Sequence, residues 1–475
     1  MPRPHILLTL LLTTQLLAQS TTPTPTTIPA LFLSDIHLDP FADPAKVVRL
    51  NAAPIAQWPA IFAAPPSPTQ QQDSAALSQA CPTRGVDTPH ALWQSSLHAI
   101  HAHATGLRFV TVSGDLLAHS FDCKYKTLLP AATHADYLAF TEKTAAYVVS
   151  GLRAALPGVL IYIALGNNDS ACADYHLEPA HDDFLAGIAP VVAQAAGIPD
   201  ADRTSVLQDF TTGGYYSAPL ANIPNTRLIV LDDIFLSTKY AACSGLPDPA
   251  PGNAQLDWLD AQLAAARQHN ERVWILAHIP PGVDLYTTFI TARRLTNFCA
   301  GLQPQMFLSS ERLAKILAAY PGTVRLALFG HTHSDEMRLL GSPGVPLKLV
   351  ASISPVNGNR PTFTVARVDP ATATLVDYTV FEASDLSGIA TTWSAEYTYS
   401  TAYHQPAFNA VTASTLISKF QADPSAQTPA SQAYLRNFFP GDISSIIQFV
   451  WPQYACSMAH DSAADFTACA CAAAK

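Results

Sequence analysis

The sequence predicts an α/β fold, and two features of the chain indicate it. Short apolar or β-branched runs of strand length recur from residue 28 onward and end abruptly in Asp, Asn or His; they are IPALFLSDIH, LRFVTVSGD, VLIYIALGNND, RVWILAHIPPG and TVRLALFGHTH. Stretches of helical pattern, such as YLAFTEKTAAYVVSGLRAAL and AQLDWLDAQLAAARQ, lie between these runs. Strands that alternate with helices predict an α/β sheet with one site at its carboxyl edge.

The two ends of the chain predict separate segments. MPRPHILLTLLLTTQLLAQS has Arg3 near its start, an apolar stretch and small residues at Ala18 and Ser20, which predicts a cleaved signal peptide over residues 1–20. The apolar stretch is shorter than the roughly 20 residues that a membrane anchor needs, and no other segment has a transmembrane pattern. Residues 21–29 predict a Thr/Pro-rich tether, residues 30–385 a catalytic domain, and the Ala-rich residues 386–475 a C-terminal helical subdomain.

The overall composition allows a large core and excludes one class of function. The chain has 475 residues, 49% of them hydrophobic, and a formal net charge of −10. Binding to a nucleic-acid backbone is not predicted, because that affinity rests on Lys and Arg that neutralise phosphates. Residues 51–87 are rich in proline and predict a long surface insertion without a recognisable motif. No feature indicates an obligate protein partner.

The strand ends carry a mixed set of carboxylates, imidazoles and one amide. Alone, each of these residues is better explained by a turn or a core contact; together they supply enough donors for two divalent metals with a shared carboxylate. The seven predicted ligands are Asp35, His37, Asp115, Asn167, His278, His331 and His333. Neutral imidazoles and one amide keep such a site less negative than a cage of carboxylates, so an anionic phosphate can approach it.

The ordered series D-x-H, G-D, G-N, H and G-H-x-H resembles the signature of the calcineurin-like metallophosphoesterases. The resemblance implies a two-sheet αββα sandwich with helices on both outer faces. It also implies which residues share a metal: Asp35, His37, Asp115 and His333 would hold one ion, and Asp115, Asn167, His278 and His331 the other. Asp115 would bridge the two.

A narrower resemblance follows from the surrounding sequence. GDLLAHSFD, TTGGYYS, ILAHIPPG, FGHTHSDEMRLL and ISPVNGNRPTFTVARVD resemble the catalytic domain of the acid sphingomyelinase-like phosphodiesterases, and the tail from YLRNFFPGD onward resembles their helical subdomain. The eight cysteines of an exported chain already indicate disulfide bonds. The resemblance implies a local Cys456–Cys469 bond and a Cys243–Cys299 bond across an active-site insertion.

Asn168 departs from the family pattern, in which a histidine that protonates the leaving oxygen follows the ligand Asn. An amide cannot deliver that proton. His119, four residues after the bridging Asp115, is the first alternative donor, although it could instead orient a ligand or a phosphate oxygen; His176 is a weaker alternative. A second explanation is that the leaving group needs no acid, as in a phosphoanhydride or polyphosphate. GNND also resembles the endopolyphosphatases of the same superfamily.

These features together predict a secreted or periplasmic binuclear-metal phosphodiesterase that acts through a metal-bound hydroxide. Its substrate would be a small phosphate ester or a phospholipid head group. The alternatives are a phosphoanhydride or polyphosphate hydrolase and an inactive secreted protein that binds metal and phosphate. The cofactors would be two divalent ions; zinc fits the histidine-rich ligands, and manganese or iron would accept the same set.

Overall fold

A computed structural model describes residues 27–178, 182–291, 299–301, 303–441 and 445–472. The predicted signal peptide and residues 21–26 of the predicted tether lie outside the described residues. The last two residues of that tether, Ile28 and Pro29, belong to the first strand, which places the start of the folded domain two residues earlier than predicted. No helix in the described ranges is long and apolar enough to cross a membrane.

The strands of the described ranges form two six-stranded sheets. In chain order they are β1 (Ile28–Leu33), β2 (Phe109–Ser113), β3 (Leu160–Ala164), β4 (Tyr216–Pro219), β5 (Thr226–Val230), β6 (Arg272–Leu276), β7 (Val324–Phe329), β8 (Glu336–Leu340), β9 (Val345–Leu349), β10 (Thr362–Asp369), β11 (Thr374–Ala383) and β12 (Trp393–Thr398). The first sheet has the order β12-β11-β10-β1-β2-β3 and the second β4-β5-β6-β7-β9-β8. The strands β1, β2 and β3 run parallel, as do β5, β6, β7 and β9.

The helices surround these sheets. In chain order they are α1 (Val47–Ala52), α2 (Trp58–Ala63), α3 (Gln70–Ala80), α4 (His90–His103), α5 (Phe121–Leu128), α6 (His134–Ala155), α7 (Asp183–Ala195), α8 (Asp200–Gly213), α9 (Ala250–Gln268), α10 (Arg312–Ala318), α11 (Tyr399–Tyr403), α12 (Ala410–Gln421), α13 (Pro429–Phe438), α14 (Ser445–Phe449), α15 (Trp451–Ser457) and α16 (Ala463–Ala472). The longest, α6, begins with a capping box in which Thr133 and Asp136 satisfy each other's backbone amides.

The two sheets pack face to face, with helices outside. Trp274 of β6 contacts Phe32 of β1 and Phe109 of β2 edge to face, with ring centroids 6.0 and 5.8 Å apart. Buried leucines of α9 and α10 pack on the outer face of the second sheet, and buried side chains of α4 and α6 belong to the core of the first. Since central strands are covered on both faces, they read as nearly continuous apolar runs. The predicted αββα sandwich is confirmed.

The C-terminal region differs in part from the prediction of helices alone. Residues 393–398 form β12, the edge strand of the first sheet, within the segment predicted to be helical. This strand carries few buried side chains, so it lacks the apolar run that marked the other strands. Helices α11 to α16 follow it, and their buried aromatic residues join the same core as the first sheet. The predicted insertion at residues 51–87 is also largely ordered, since it contains α2, α3 and the fully buried Trp58.

All eight cysteines are paired, and one of the two predicted bonds is correct. Cys456 bonds Cys469, as predicted. The predicted Cys243–Cys299 bond is wrong: Cys243 pairs with Cys172 and Cys299 with Cys471. The fourth bond joins Cys81 to Cys123. The error has a physical reason, because Cys172 lies in the loop that follows β3 and that loop, rather than the segment containing Cys299, packs beside Cys243 through the Ala241–Tyr175 and Leu177–Ala241 backbone bonds.

Candidate metal centre

The seven predicted ligands all follow the carboxyl ends of parallel strands, as the sequence pattern requires. They come directly after β1, β2, β3, β6 and β7, and the edges of the two sheets meet there. Five of these residues adopt left-handed backbone conformations, with φ between 45° and 72°: Asp35, His37, Asp115, His331 and His333. Such conformations cost free energy in residues other than glycine and concentrate at functional sites. Glycines allow the close approach; a Cβ on Gly330 would lie 2.7 Å from Asp35 Oδ2.

Asp115 lies between two groups of donors. On one side, its Oδ2 is 3.3 Å from His37 Nε2, which faces Asp35 Oδ1 at 3.8 Å. His333 Nε2 completes this group at 3.4 Å from Asp35 Oδ1. On the other side, Asp115 Oδ2 is 3.2 Å from His278 Nε2. The structure therefore brings one carboxylate oxygen against imidazoles from both sheets.

The second group contains Asn167 and two histidines. Asn167 Oδ1 lies 3.1 Å from His278 Nε2 and 2.8 Å from His331 Nδ1. The two ring nitrogens are 3.3 Å from each other. The amide of Asn167 donates its own N–H to Asp174 Oδ1, over 2.6 Å, which turns the amide oxygen into the cluster. All seven predicted ligands thus converge in the two groups that the resemblance implies.

The outer nitrogens of His37 and His278 donate to backbone carbonyls, which directs their inner nitrogens into the cluster. His37 Nδ1 donates to the Leu117 carbonyl over 2.7 Å, and His278 Nδ1 donates to the Ser113 carbonyl over 2.6 Å. His37 Nε2 is buried and has no hydrogen-bond partner within the described ranges. Unprotonated nitrogens this close to one another and to amide or carboxylate oxygens repel unless a cation lies between them. The donors therefore fit two divalent cations.

Burial and charge set the protonation of this cluster. Burial alone would lower the pKa of both His37 and His278, but the Asp115 carboxylate raises these pKa values to about 9 and about 10. Burial lowers the pKa of His331 to about 3 and of His333 to about 4, so both rings are neutral near pH 7. Neutral imidazole is the form that binds a metal, so a cation would bind His331 and His333 directly and would displace a proton from His37 and from His278.

Asn168 donates two hydrogen bonds to the carboxylate of Asp115, which both groups of donors share. Its backbone amide donates to Asp115 Oδ1 over 2.8 Å, and its side-chain amide donates to Asp115 Oδ2 over 3.0 Å. Asp169, which the sequence analysis did not single out, supports the same loops, because its carboxylate accepts the backbone amides of Gly166, Leu116 and Leu117. Burial and the neighbouring Asp115 raise the pKa of Asp169 to about 7. The sequence signal for Asp169 is its position directly after the adjacent amide residues Asn167 and Asn168.

His119 lies beside the metal donors and is oriented by an acidic residue that the sequence analysis missed. Its ring stacks on that of His37, with centroids 4.1 Å apart. Its Nδ1 is 2.9 Å from Asp87 Oδ1, and its backbone amide donates to Asp87 Oδ2 over 2.8 Å. Asp87 is fully buried and also receives the Ser354 hydroxyl. His119 Nε2 is consequently the ring nitrogen that Asp87 does not hold.

The weaker donor candidate, His176, is not part of this arrangement. Its Nδ1 is 2.7 Å from the Asp174 carbonyl, and within the described ranges its ring contacts none of the seven predicted ligands. Three histidines of α4, His98, His101 and His103, are exposed.

Comparison with known proteins places the chain among phosphoesterases. No family model matches it. It is 25% identical over 402 residues to human acid sphingomyelinase-like phosphodiesterase 3b, an alignment that spans 81% of this chain and 80% of that protein. It is 26% identical over 261 residues to rat cyclic GMP-AMP phosphodiesterase SMPDL3A, which covers 52% of this chain and 54% of the relative. The chain is a homologue of the acid sphingomyelinase-like phosphodiesterases. The predicted family and the class of metal-dependent phosphoester hydrolases are therefore confirmed.

A second group of relatives matches a shorter part of the chain. Endopolyphosphatase from Schizosaccharomyces pombe is 31% identical over 221 residues, which is 43% of this chain and 34% of the relative. Among solved structures, a dimetal phosphatase from Danio rerio covers 79% of this chain with 12% identity and a TM-score of 0.40. Apart from the human relative, these curated relatives share about half of their length or less with the chain.

Proposed function

We propose that this protein hydrolyses phosphodiesters at a binuclear metal centre, with a phospholipid head group or a nucleotide-like molecule as substrate. The observation that carries the proposal is the position of Asp115 Oδ2, 3.3 Å from His37 Nε2 and 3.2 Å from His278 Nε2. In this proposal Asp35, His37, Asp115 and His333 hold one ion, and Asp115, Asn167, His278 and His331 hold the other. Two divalent ions bound there would polarise the phosphoryl oxygens and supply the nucleophile at neutral pH.

Zinc is the proposed metal, because imidazoles outnumber carboxylates in the donor set and zinc favours nitrogen ligands. Manganese or iron would accept the same ligands. The outer hydrogen bonds of His37 and His278 to backbone carbonyls support this proposal, since such bonds orient a metal-binding imidazole and raise its basicity.

His119 is the proposed proton donor to the leaving oxygen. Asp87 fixes the ring through Nδ1 and so leaves Nε2 to carry the proton that the departing alkoxide takes up. Lys124 lies 3.6 Å from Asp87 Oδ2 and keeps this buried carboxylate ionised. The neighbouring His119 and Lys124 together hold the pKa of Asp87 well below its ordinary value despite the opposing effect of burial.

We further propose that the protein works outside the cytosol, secreted or periplasmic. Four disulfide bonds support this location, because such bonds persist in oxidising compartments. The names of the human and rat relatives, both phosphodiesterases, support the reaction class.

Hydrolysis of a phosphoanhydride or polyphosphate is the second candidate function, and a specific contact favours it. The side-chain amide of Asn168 is engaged on Asp115 and has no proton to give, so the position that carries the usual acid supplies none. A leaving phosphate is a weak base and departs without protonation. The endopolyphosphatase relative supports the same candidate.

The leaving-group dependence of kcat/KM tests the proposal and separates the candidates. Purified, metal-reconstituted protein is assayed on aryl phosphodiesters of graded phenol pKa. A shallow slope is expected if His119 supplies a proton, and a steep slope indicates that no acid acts and favours anhydrides. If the protein binds two metals and phosphate yet releases product from neither diesters nor anhydrides, it is the inactive binding protein and the proposed function is wrong.

A further inference from the structure

Two cationic side chains stand at the mouth of the metal centre, and the proposed reaction does not use them. The first is Lys239, whose Nζ donates to Tyr175 Oη over 3.4 Å and lies 4.8 Å from the centre of that ring. Tyr175 Oη is in turn 3.3 Å from His331 Nε2, the outer nitrogen of a proposed ligand. A single side chain therefore separates the Lys239 ammonium from the metal donors.

The second cation is Arg84, which comes from the proline-rich insertion. Its guanidinium lies 4.4 Å above the ring of Tyr286, which is 42% exposed. Arg84 lies three residues before Asp87, whose carboxylate holds His119 against the ring of His37, which places this turn of the insertion beside the metal centre. The backbone of the insertion packs closely against the protein here. A Cβ atom added to Gly85 would lie only 2.3 Å from the Val356 carbonyl oxygen. Arg84 and Lys239 are called the cationic rim below.

Neither cation of the rim is paired directly with a carboxylate in the described ranges. The acidic groups that act on Tyr175 are engaged elsewhere: Asp174 accepts from Asn167, and Asp284 accepts from the backbone amide and hydroxyl of Thr287. In the described ranges these two cations therefore contact aromatic rings rather than carboxylates, although the chain has a net charge of −10. They raise the local concentration of anions at this mouth.

We propose that the cationic rim binds a second phosphate of the substrate, next to the one that is cleaved. This proposal rests on the proposed function and narrows its substrate class to molecules with at least two phosphates, such as nucleoside diphosphate esters, cyclic dinucleotides or polyphosphates. Arg84 presents a planar fork that suits two phosphate oxygens, and Lys239 presents a point charge. A phosphocholine head group is disfavoured, because its quaternary ammonium would face the same two cations.

A pair of esters with the same leaving group tests the rim. The substrates are the p-nitrophenyl ester of thymidine 5′-monophosphate and the β-p-nitrophenyl ester of thymidine 5′-diphosphate, which differ by one phosphate. Wild-type protein is expected to favour the diphosphate ester in kcat/KM. In the Arg84→Met/Lys239→Met double variant, kcat/KM is expected to fall about 10- to 100-fold more for the diphosphate ester than for the monophosphate ester. This factor corresponds to the free energy of hydrogen bonds to charged groups.

The matched control is Arg367→Met/Lys419→Met, which removes the same charge from exposed positions on β10 and α12. This control is expected to change kcat/KM by the same factor for both esters, as a change in the overall electrostatic field of the protein would. Anion-exchange separation of the products identifies which phosphate is attacked, and ATP and a cyclic dinucleotide then distinguish an anhydride-linked second phosphate from a diester-linked one.

Two results would overturn the rim proposal: equal losses on both esters in the double variant, or no preference of the wild type for the second phosphate. If the wild type cleaves neither ester nor an anhydride, the proposed function itself fails. Calorimetric binding of thymidine 5′-diphosphate and 5′-monophosphate to the metal-loaded protein then decides the rim separately. Tighter binding of the diphosphate that the double variant loses supports the rim, and equal affinities refute it.

Discussion

Both nitrogens of Asn168 donate to Asp115, the backbone amide to Oδ1 over 2.8 Å and the side-chain amide to Oδ2 over 3.0 Å. The amide is 5% exposed, so it is a fixed part of the cluster rather than a group that faces substrate. This contact accounts for an uncharged side chain at the position where the family pattern has a proton donor. The residue holds the carboxylate that both donor groups share.

Asn168→Ala is expected to weaken metal binding by about 10- to 100-fold, the usual cost of losing an outer hydrogen bond to a metal ligand. Competition with a chromogenic chelator measures this affinity without any substrate. The backbone donor survives in the variant, which keeps the loop in place. The control is Asn253→Ala, an exposed asparagine on α9. Unchanged metal affinity together with a steeper leaving-group slope would contradict this role and make Asn168 part of the chemistry.

His119→Gln is expected to lower kcat/KM by about 10²- to 10⁴-fold on diesters with poor leaving groups and much less on diesters with good ones, because only the former need an acid. Metal content, determined by atomic absorption, is expected to stay at two ions per chain, since His119 is outside the proposed ligand sets. Loss of a metal ion in this variant would instead make His119 a ligand, which its position beside His37 and His333 allows geometrically.

Asp87→Asn separates orientation from proton delivery. The amide can still accept a hydrogen bond from His119 but leaves the half-buried imidazole without its carboxylate. It also removes one of the two carboxylate partners of Lys124, the other being Asp39. We expect the slope of log kcat/KM against leaving-group pKa to steepen in the direction of the His119→Gln slope. The double variant His119→Gln/Asp87→Asn is expected to be no worse than His119→Gln alone. Additive losses would show that Asp87 acts independently of His119.

The sequence predicted the site residues that lie at strand ends, and it missed contacts between residues that are far apart in the chain. The seven predicted ligands could be found because parallel strands bring their carboxyl ends to one edge, whatever the loops do. Asp87 could not be found in this way, because it lies 32 residues before His119 in an insertion with no periodic pattern. The bond between Cys299 and Cys471 spans 172 residues, whereas the correctly predicted Cys456–Cys469 bond spans 13. Spacing along the chain therefore constrains only the Cys456–Cys469 bond.

The Cys172–Cys243 bond is expected to matter for the metal centre as well as for stability. Cys172 lies in the loop between Asn167 and Tyr175, whose backbones are joined by a 2.8 Å hydrogen bond. Removing this bond, which closes 71 residues, is expected to cost about 4 kcal/mol of unfolding free energy, and removing Cys456–Cys469 about 3 kcal/mol. Serine double variants test both. Chelator competition is expected to show weaker metal binding only for Cys172→Ser/Cys243→Ser; equal metal affinity in the two variants would contradict this.

Glu396 on the edge strand β12 is expected to make the fold less stable as pH rises. Burial, together with the charges of Asp335 and Glu382, raises the pKa of Glu396 to about 9, from 4.5 in the unfolded chain. Between these two values the folded state holds a proton that the unfolded state has lost, so the unfolding free energy falls with increasing pH across this window. Glu396→Gln removes this titration and is expected to stabilise the protein at pH 8 by at least about 1 kcal/mol relative to wild type.

The same substitution is expected to change little at pH 5, where the folded wild type already holds the proton. Urea unfolding of variant and wild type at each pH measures the difference, and comparison at a fixed pH removes any effect of metal loss. Stabilisation by Glu396→Gln that is equal at pH 5 and pH 8 would mean that packing, rather than the buried charge, limits this strand.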